Sequence, residues 1–187
     1  GSIFGATNIL IAVDKYSHHC WLLPAKKRSD VRRFLLYILE DAKRMLPHID
    51  PCHLKFNNTG NLYVENFKVD NESSFRKVVD DPMQVWLKDH LGVTNFNFTP
   101  KGSHAKLGLA ERFVQRVKAS LRCGIWDSGL KLMYWDRLLI LISQMYFIMP
   151  TSANHNNKSP KHFLYGQPTD FEKDILPYFS PFGSVGE

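Results

Sequence analysis

The stretch SDVRRFLLYILEDAKRML, residues 29–46, constrains the fold most. Phe34, Leu35, Ile38, Leu39, Ala42 and Met45 recur at helical spacing, Ser29 and Asp30 stand where a cap belongs, and Pro47 stops the run. An amphipathic helix of this kind must bury its apolar stripe, and its neighbours in the chain read as strands. NILIAVD (8–14) and HHCWLLPA (18–25), separated by KYS, are short apolar runs that predict two adjacent strands. LYVENFKVD (62–70) returns to strand character and ends on Asp70. PMQVWLKDHLG (82–92), with Pro82 near its start and Gly92 past its end, predicts a helix, and VTNFNF (93–98) another strand. TPKGSHAKLG (99–108) is a polar, basic loop leading into a long helix that carries Glu111, and a further helix is expected at 133–149. Strands and helices mixed on this scale imply a layered α/β domain over 1–149. The Pro-, Asn- and Ser-rich residues 150–187 read as an extended tail packing on that core.

Charge narrows the partners. The 187 residues carry 24 Lys plus Arg against 18 Asp plus Glu, a net charge of +6 and a pI near 9.2, a balance that attracts phosphate polyanions or acidic surfaces. The longest apolar run, LLILISQMYFIM (138–149), is too short to span a bilayer, so no membrane role is expected. Cys20, Cys52 and Cys123 are odd in number and widely spaced, which points to a reducing compartment and away from a disulfide framework or a Cys-x-x-Cys zinc site. His18, His19 and Cys20 invite a zinc reading, but neighbours on a strand point to opposite faces, so a structural use is expected. Trp21, Trp86, Trp126 and Trp135 are expected as core or interface anchors, and the basic cluster at 26–28 with Arg32 and Arg33 as DNA contacts, a nuclear-targeting signal or a solvated helix entrance. Three Asn-x-Ser/Thr triplets, at Asn57, Asn71 and Asn97, have no signal peptide to support them.

Two carboxylates stand where side chains leave a core: Asp70 at the end of a strand and Glu111 at the head of a helix. Convergence of such groups suits metal-assisted phosphoryl transfer, in which two hard divalent cations roughly 3.5–4 Å apart are held by carboxylates. Along the second helix Ala110, Val114, Val117 and Leu121 repeat on one face, while Glu111, Gln115, Lys118 and Arg122 follow on another at intervals of four, three and four. A carboxylate heading a stripe of Gln, Lys and Arg puts a metal ligand beside groups that hold a phosphate backbone. A solvated charged face is the alternative.

The motifs together resemble the catalytic core of retroviral and retrotransposon integrases, the copia-type branch in particular. FTPKGSHAKLGLAERFVQRVKASL (98–121) is similar to the family's Thr-Pro loop and Val-Ala-Glu-Arg helix, and VDNESSF (69–75) to its second-aspartate motif. AVDKYSHHCWLLPAKKRSDV (12–31) resembles its second and third strands, with Asp14, Ser17 and Trp21 in step; SPKHFLYGQPTDF (159–171) and PFG (181–183) match the downstream signature. The resemblance implies an RNase H-like fold: a mixed central sheet flanked by helices, with a C-terminal helical extension. It implies DNA strand transfer by two-metal phosphoryl transfer, Mg2+ or Mn2+ as cofactor, Asp70 and Glu111 as metal ligands, and Gln115 and Lys118 facing DNA. Arg122 continues that stripe, and Lys101 and Lys106, in the loop beside Glu111, are expected to contact DNA as well. A homodimer or higher oligomer, a chromatin-tethering partner, and work in the nucleus or in a cytoplasmic particle are implied too.

Departures from the family are specific. Its first catalytic Asp lies on the strand before NILIAVD, where this sequence has Ser2, and Asp14 matches a recurrent aspartate that is no metal ligand in the family. Gly1-Ser2 has the look of a cloning remnant. Four accounts are open: the chain begins past that Asp, the Asp was replaced, it was lost naturally, or a shortened hairpin gives Asp14 the role. The family's Gly after Asp-Asn is Glu72, its Glu before Phe is Ser74, and its Asn-Gly before the Glu helix is Leu107-Gly108. A domesticated, catalytically inactive protein of the same fold, acting as a DNA- or chromatin-associated dimer, is therefore the alternative, and a related RNase H-like nuclease a weaker third.

Overall fold

The structure, a computed structural model, describes residues 1–27, 30–49, 66–69, 84–85, 88–89, 95–98, 108–168 and 170. The two N-terminal runs form an antiparallel hairpin, β1 (Asn8–Val13) with β2 (Cys20–Ala25), in register from Asn8 opposite Ala25 to Val13 opposite Cys20. Period two sorts the side chains of β1: Ile9, Ile11 and Val13 pack against the main core, while Leu10 is buried on the opposite face.

The helix α1 (Val31–Met45) follows the hairpin in the chain, but the inner face of the hairpin is covered by two later helices. These are α2 (Gly108–Ser128) and α3 (Trp135–Ile148), joined through a short 3-10 turn at Leu132–Tyr134. Cys20 and Leu22 from β2, Phe113 and Val117 from α2, and Leu138, Leu139 and Ile142 from α3 make one buried cluster. Each of the larger aliphatic side chains in it contributes about 1.5–3 kcal/mol by leaving water. Gly124 lets the helices close, since a Cβ there would lie 2.7 Å from Leu138 Cδ2. Two polar contacts fix the layer: Ser120 Oγ to Tyr146 Oη at 2.8 Å, and Ser143 Oγ donating to the Cys20 carbonyl at 3.4 Å.

After α3 the chain holds helical turns where its composition alone reads as an extended tail. Residues 155–157 form a 3-10 turn and Pro160–Tyr165 a short helix, α4, which packs against α3. Its cause is capping: Ser159 Oγ accepts from the His162 N–H at 3.0 Å, Pro160 opens the first turn, and Gly166, with φ near 69°, closes the last. The Pro and Asn content that signals an irregular tail includes residues that start this helix.

The chain divides into two units, Gly1–Lys26 with Leu109–Glu187 and, separately, Lys27–Gly108. In the second unit α1 buries Val31, Phe34, Leu35 and Met45, with Arg32, Arg33 and Glu40 outward, and passes at Pro47 into a 3-10 turn, Leu46–His48. The Asp30 carboxylate just before it accepts from the Lys27 N–H at 3.1 Å. β3 (Asn66–Val69) and β4 (Asn95–Phe98) pair in parallel, Asn66 opposite Asn95 through Val69 opposite Phe98. Parallel partners need a crossover, and residues 84, 85, 88 and 89 between them are helical. The fold is mixed α/β, mostly helical, with small two-stranded sheets among the described residues.

Candidate nucleic-acid interface on α2

The amphipathicity of α2 decides where its functional side chains point. Phe113 and Val117 are buried, Leu109, Leu121 and Ile125 pack beside them, and that row is the inward face. Ala110 and Val114, expected in the apolar row, sit at its margin half-buried, because Phe113 offers more area to bury. The outward face carries Glu111, Gln115, Lys118 and Arg122, all exposed. Glu111 lies in the first helical turn, where a carboxylate meets the positive end of the helix dipole. Arg112 and Arg116 flank the row, the latter with its guanidinium 5.7 Å from the Phe113 ring centre. Lys118 and Arg122 are side chains of the type that can contact a phosphate, and Gln115 can donate a neutral hydrogen bond.

Trp126 extends this row, where the sequence alone suggests a core or interface anchor. It is 86% exposed, one turn beyond Arg122. The i+4 spacing from Arg122 is the signal for it, outweighed in a sequence reading by the tendency of tryptophan to be buried. Trp135, by contrast, packs against the core, and Trp21 meets the His19 ring edge-on at 4.4 Å.

The hairpin turn gives Asp14 a clear structural task. Its Oδ1 accepts from the Tyr16 N–H at 3.2 Å; its Oδ2 accepts from the Ser17 N–H at 2.9 Å and the Ser17 hydroxyl at 2.6 Å. Ser17 is fully buried and its Oγ accepts in turn from the His19 N–H. Ser2 is buried as well: its Oγ accepts from the Ala6 N–H at 2.9 Å and its N–H donates to the Ala6 carbonyl. Of the His-His-Cys run, His18 takes a left-handed backbone, with φ near 59°, and its Nδ1 lies 2.7 Å from Asn154 Oδ1. The Asn154 amide donates to the carbonyls of Ser17 and Lys158, so its oxygen accepts and His18 Nδ1 carries the proton. His19 packs between Trp21 and Phe147, and burial pushes the Cys20 thiol up to about 12.

Asp70, Lys101 and Lys106 lie outside the described residues, as do Trp86 and Cys52. No helix among the described residues is long and apolar enough to cross a membrane. No protein-family model and no curated protein matches this chain.

Proposed function

We propose that this chain is an integrase-type core of RNase H-like fold, acting on DNA by two-metal phosphoryl transfer. The observation that carries the reading is the outward row of α2, with Glu111 in the first turn and Gln115, Lys118 and Arg122 behind it, all exposed. The parallel β3–β4 pair supports it, because Asp70 directly follows the last residue of β3 in the sequence, and a strand end is where a carboxylate leaves a sheet. The work would be nuclear, on chromosomal DNA, by a homodimer or larger assembly, with a chromatin-bound partner directing it.

Glu111 is an accessible hard-oxygen donor of the kind Mg2+ or Mn2+ takes, and Asp70 is the second carboxylate of the proposed set. The ions, when bound, supply charge neutralisation for in-line displacement at a phosphodiester. Lys118 and Arg122 bind backbone phosphates and hold the strand in register along α2, and Gln115, between Glu111 and these cations, offers a neutral hydrogen bond.

A second reading, a catalytically inactive protein of the same fold that binds DNA or chromatin, is favoured by two observations. Ser2 stands at the position of the family's first Asp and spends its hydroxyl on the Ala6 turn, and the Asp14 carboxylate is engaged by three hydrogen bonds. Calorimetric titration of Mn2+ separates the readings, run on the wild type, Glu111→Gln and Asp14→Asn, each checked by circular dichroism for folding. Binding that disappears with Glu111→Gln supports the metal site, and simultaneous dependence on Asp14 makes it the third ligand. No saturable heat in the wild type sinks the catalytic reading and leaves the inactive one.

A further inference from the structure

Beside the C-terminal half of α2 the molecule has a groove of about 920 Å³. It lies within the unit formed by Gly1–Lys26 and Leu109–Glu187. Ile9, Leu121, Ile125 and Trp135 line it with apolar surface, and Lys118 and Arg122 are the charged side chains of its wall. Trp126 and Leu132, 86% and 73% exposed, stand at the same groove. Nearby, Ile3, Phe4 and Met133 add exposed apolar surface; the Ile3 N–H donates to the Met133 carbonyl at 2.9 Å and the Arg137 guanidinium lies 4.5 Å from the Phe4 ring centre. Large apolar side chains grouped this way around a concavity mark an interaction surface.

Charge decides the occupant. Among the described residues no acidic side chain lines the groove, and the cations that line it, Lys118 and Arg122, are both exposed. Asp127, exposed and next to Trp126 in sequence, is the acid nearest along α2, and it is not part of the lining. A second copy docked symmetrically would bring Lys118 and Arg122 against their own counterparts, in a chain of net charge +6. A nucleic acid satisfies the cations but leaves the apolar floor formed by Ile9, Leu121 and Ile125 without matching chemistry, since bases carry polar edges. A peptide with acidic residues flanking an aliphatic or aromatic anchor satisfies both parts. We propose that this groove is a docking site for an acidic peptide segment of a partner protein, its apolar anchor held between Trp126 and the floor and its carboxylates paired with Lys118 and Arg122.

Lys118 and Arg122 are also the phosphate contacts of the proposed DNA reading, so peptide and DNA would exclude one another there, while the metal chemistry at Glu111 is separate in its test. The probe is a synthetic fluorescein-labelled peptide with Asp and Glu flanking a Phe and a Leu. Its control has Lys in place of every acid. Anisotropy of the labelled peptides, with nitrogen-15 spectra of the Trp126 and Trp135 indole N–H groups, reads binding and its location. The acidic peptide is expected to saturate and shift both indole signals, and the Lys peptide not to bind. Trp126→Ala and the pair Lys118→Glu with Arg122→Glu, all exposed positions, are each expected to weaken the acidic peptide at least tenfold. The charge-reversed pair should gain binding to the Lys peptide, which a merely unfolded variant cannot do, and Glu111→Gln should leave the acidic peptide unaffected. Absence of saturable binding overturns the proposal. So does a single-stranded oligonucleotide that shifts these indoles while the acidic peptide leaves them unmoved, or self-association that Trp126→Ala abolishes with no effect of peptide.

Discussion

Two side chains in the first hairpin behave differently from their neighbours of the same type. Asp14 has given its carboxylate to the turn, so Asp14→Ala is expected to lower stability by about 1.5–3 kcal/mol, the range for hydrogen bonds to a charged group. A shift of the urea midpoint measures it, and an unchanged midpoint would show that the turn holds without it. Cys20 titrates far above the ordinary thiol value of 9.0, at about 12, because burial disfavours its thiolate. Since the folded pKa is the raised one, the unfolded chain gives up this proton first as pH climbs. The contribution is whole below 9.0 and fades between 9.0 and about 12, at up to roughly 1.4 kcal/mol per pH unit. Urea midpoints measured across that window should fall more steeply for the wild type than for Cys20→Ala. At the same scale the sequence is legible in part: Asp14 and Ser17 stand out as residues, but only the turn geometry shows the carboxylate reaching forward to Ser17. Asn154 carries no signal, because its partners Ser17 and His18 are distant in the chain.

Elements are easiest to read where burial imposes a period. The helices expected at 29–46 and 133–149 appear as Val31–Met45 and Trp135–Ile148, and the first two strands appear within a residue or two of their runs. The parallel pairing of β3 with β4 is not legible, since strand propensity is local and pairing direction is set by what lies between. The helix α4 escapes a reading by composition although Ser159, Pro160 and Gly166 are its start and stop residues; Ser159→Ala is expected to cost about 1 kcal/mol, read by thermal or urea unfolding. The packing of α2 on α3 gives a sharper test. Gly124→Ala gains helix propensity but drives a methyl into Leu138, which is 4% exposed and has little room to turn, so a net loss is expected. Leu138→Ala alone should cost about 2–5 kcal/mol, and less in the Gly124→Ala background, because the new methyl enters the space left behind. Additivity in that double-mutant cycle would contradict the close approach.

For the molecule as a whole, charge and element order are legible without coordinates, while the grouping of residues is not. Net charge of +6 favours anions in general, and two of the exposed cations, Lys118 and Arg122, stand on the outward row of α2. Under the DNA-binding reading, Lys118→Ala combined with Arg122→Ala should weaken duplex binding and make it less sensitive to salt. The slope of log K against log salt should shrink by about 0.9 for each backbone phosphate that is no longer neutralised. An unchanged slope would place the phosphates elsewhere on the surface. The groove is beyond sequence reading, because Ile9, Leu121 and Trp135 become neighbours only when the hairpin meets the two helices.

The first unit joins Gly1–Lys26 to Leu109–Glu187 across more than eighty intervening positions. During synthesis the hairpin leaves the ribosome ahead of α2 and α3, with Cys20 and Leu22 destined for a core whose other wall, through Ile142, has yet to be translated. At about 5–20 residues per second, that exposure lasts many seconds. The nascent protein should therefore be a client of chaperones that shield apolar strands, and ribosome-stalled chains ending before α3 should bind them more strongly than the released protein does.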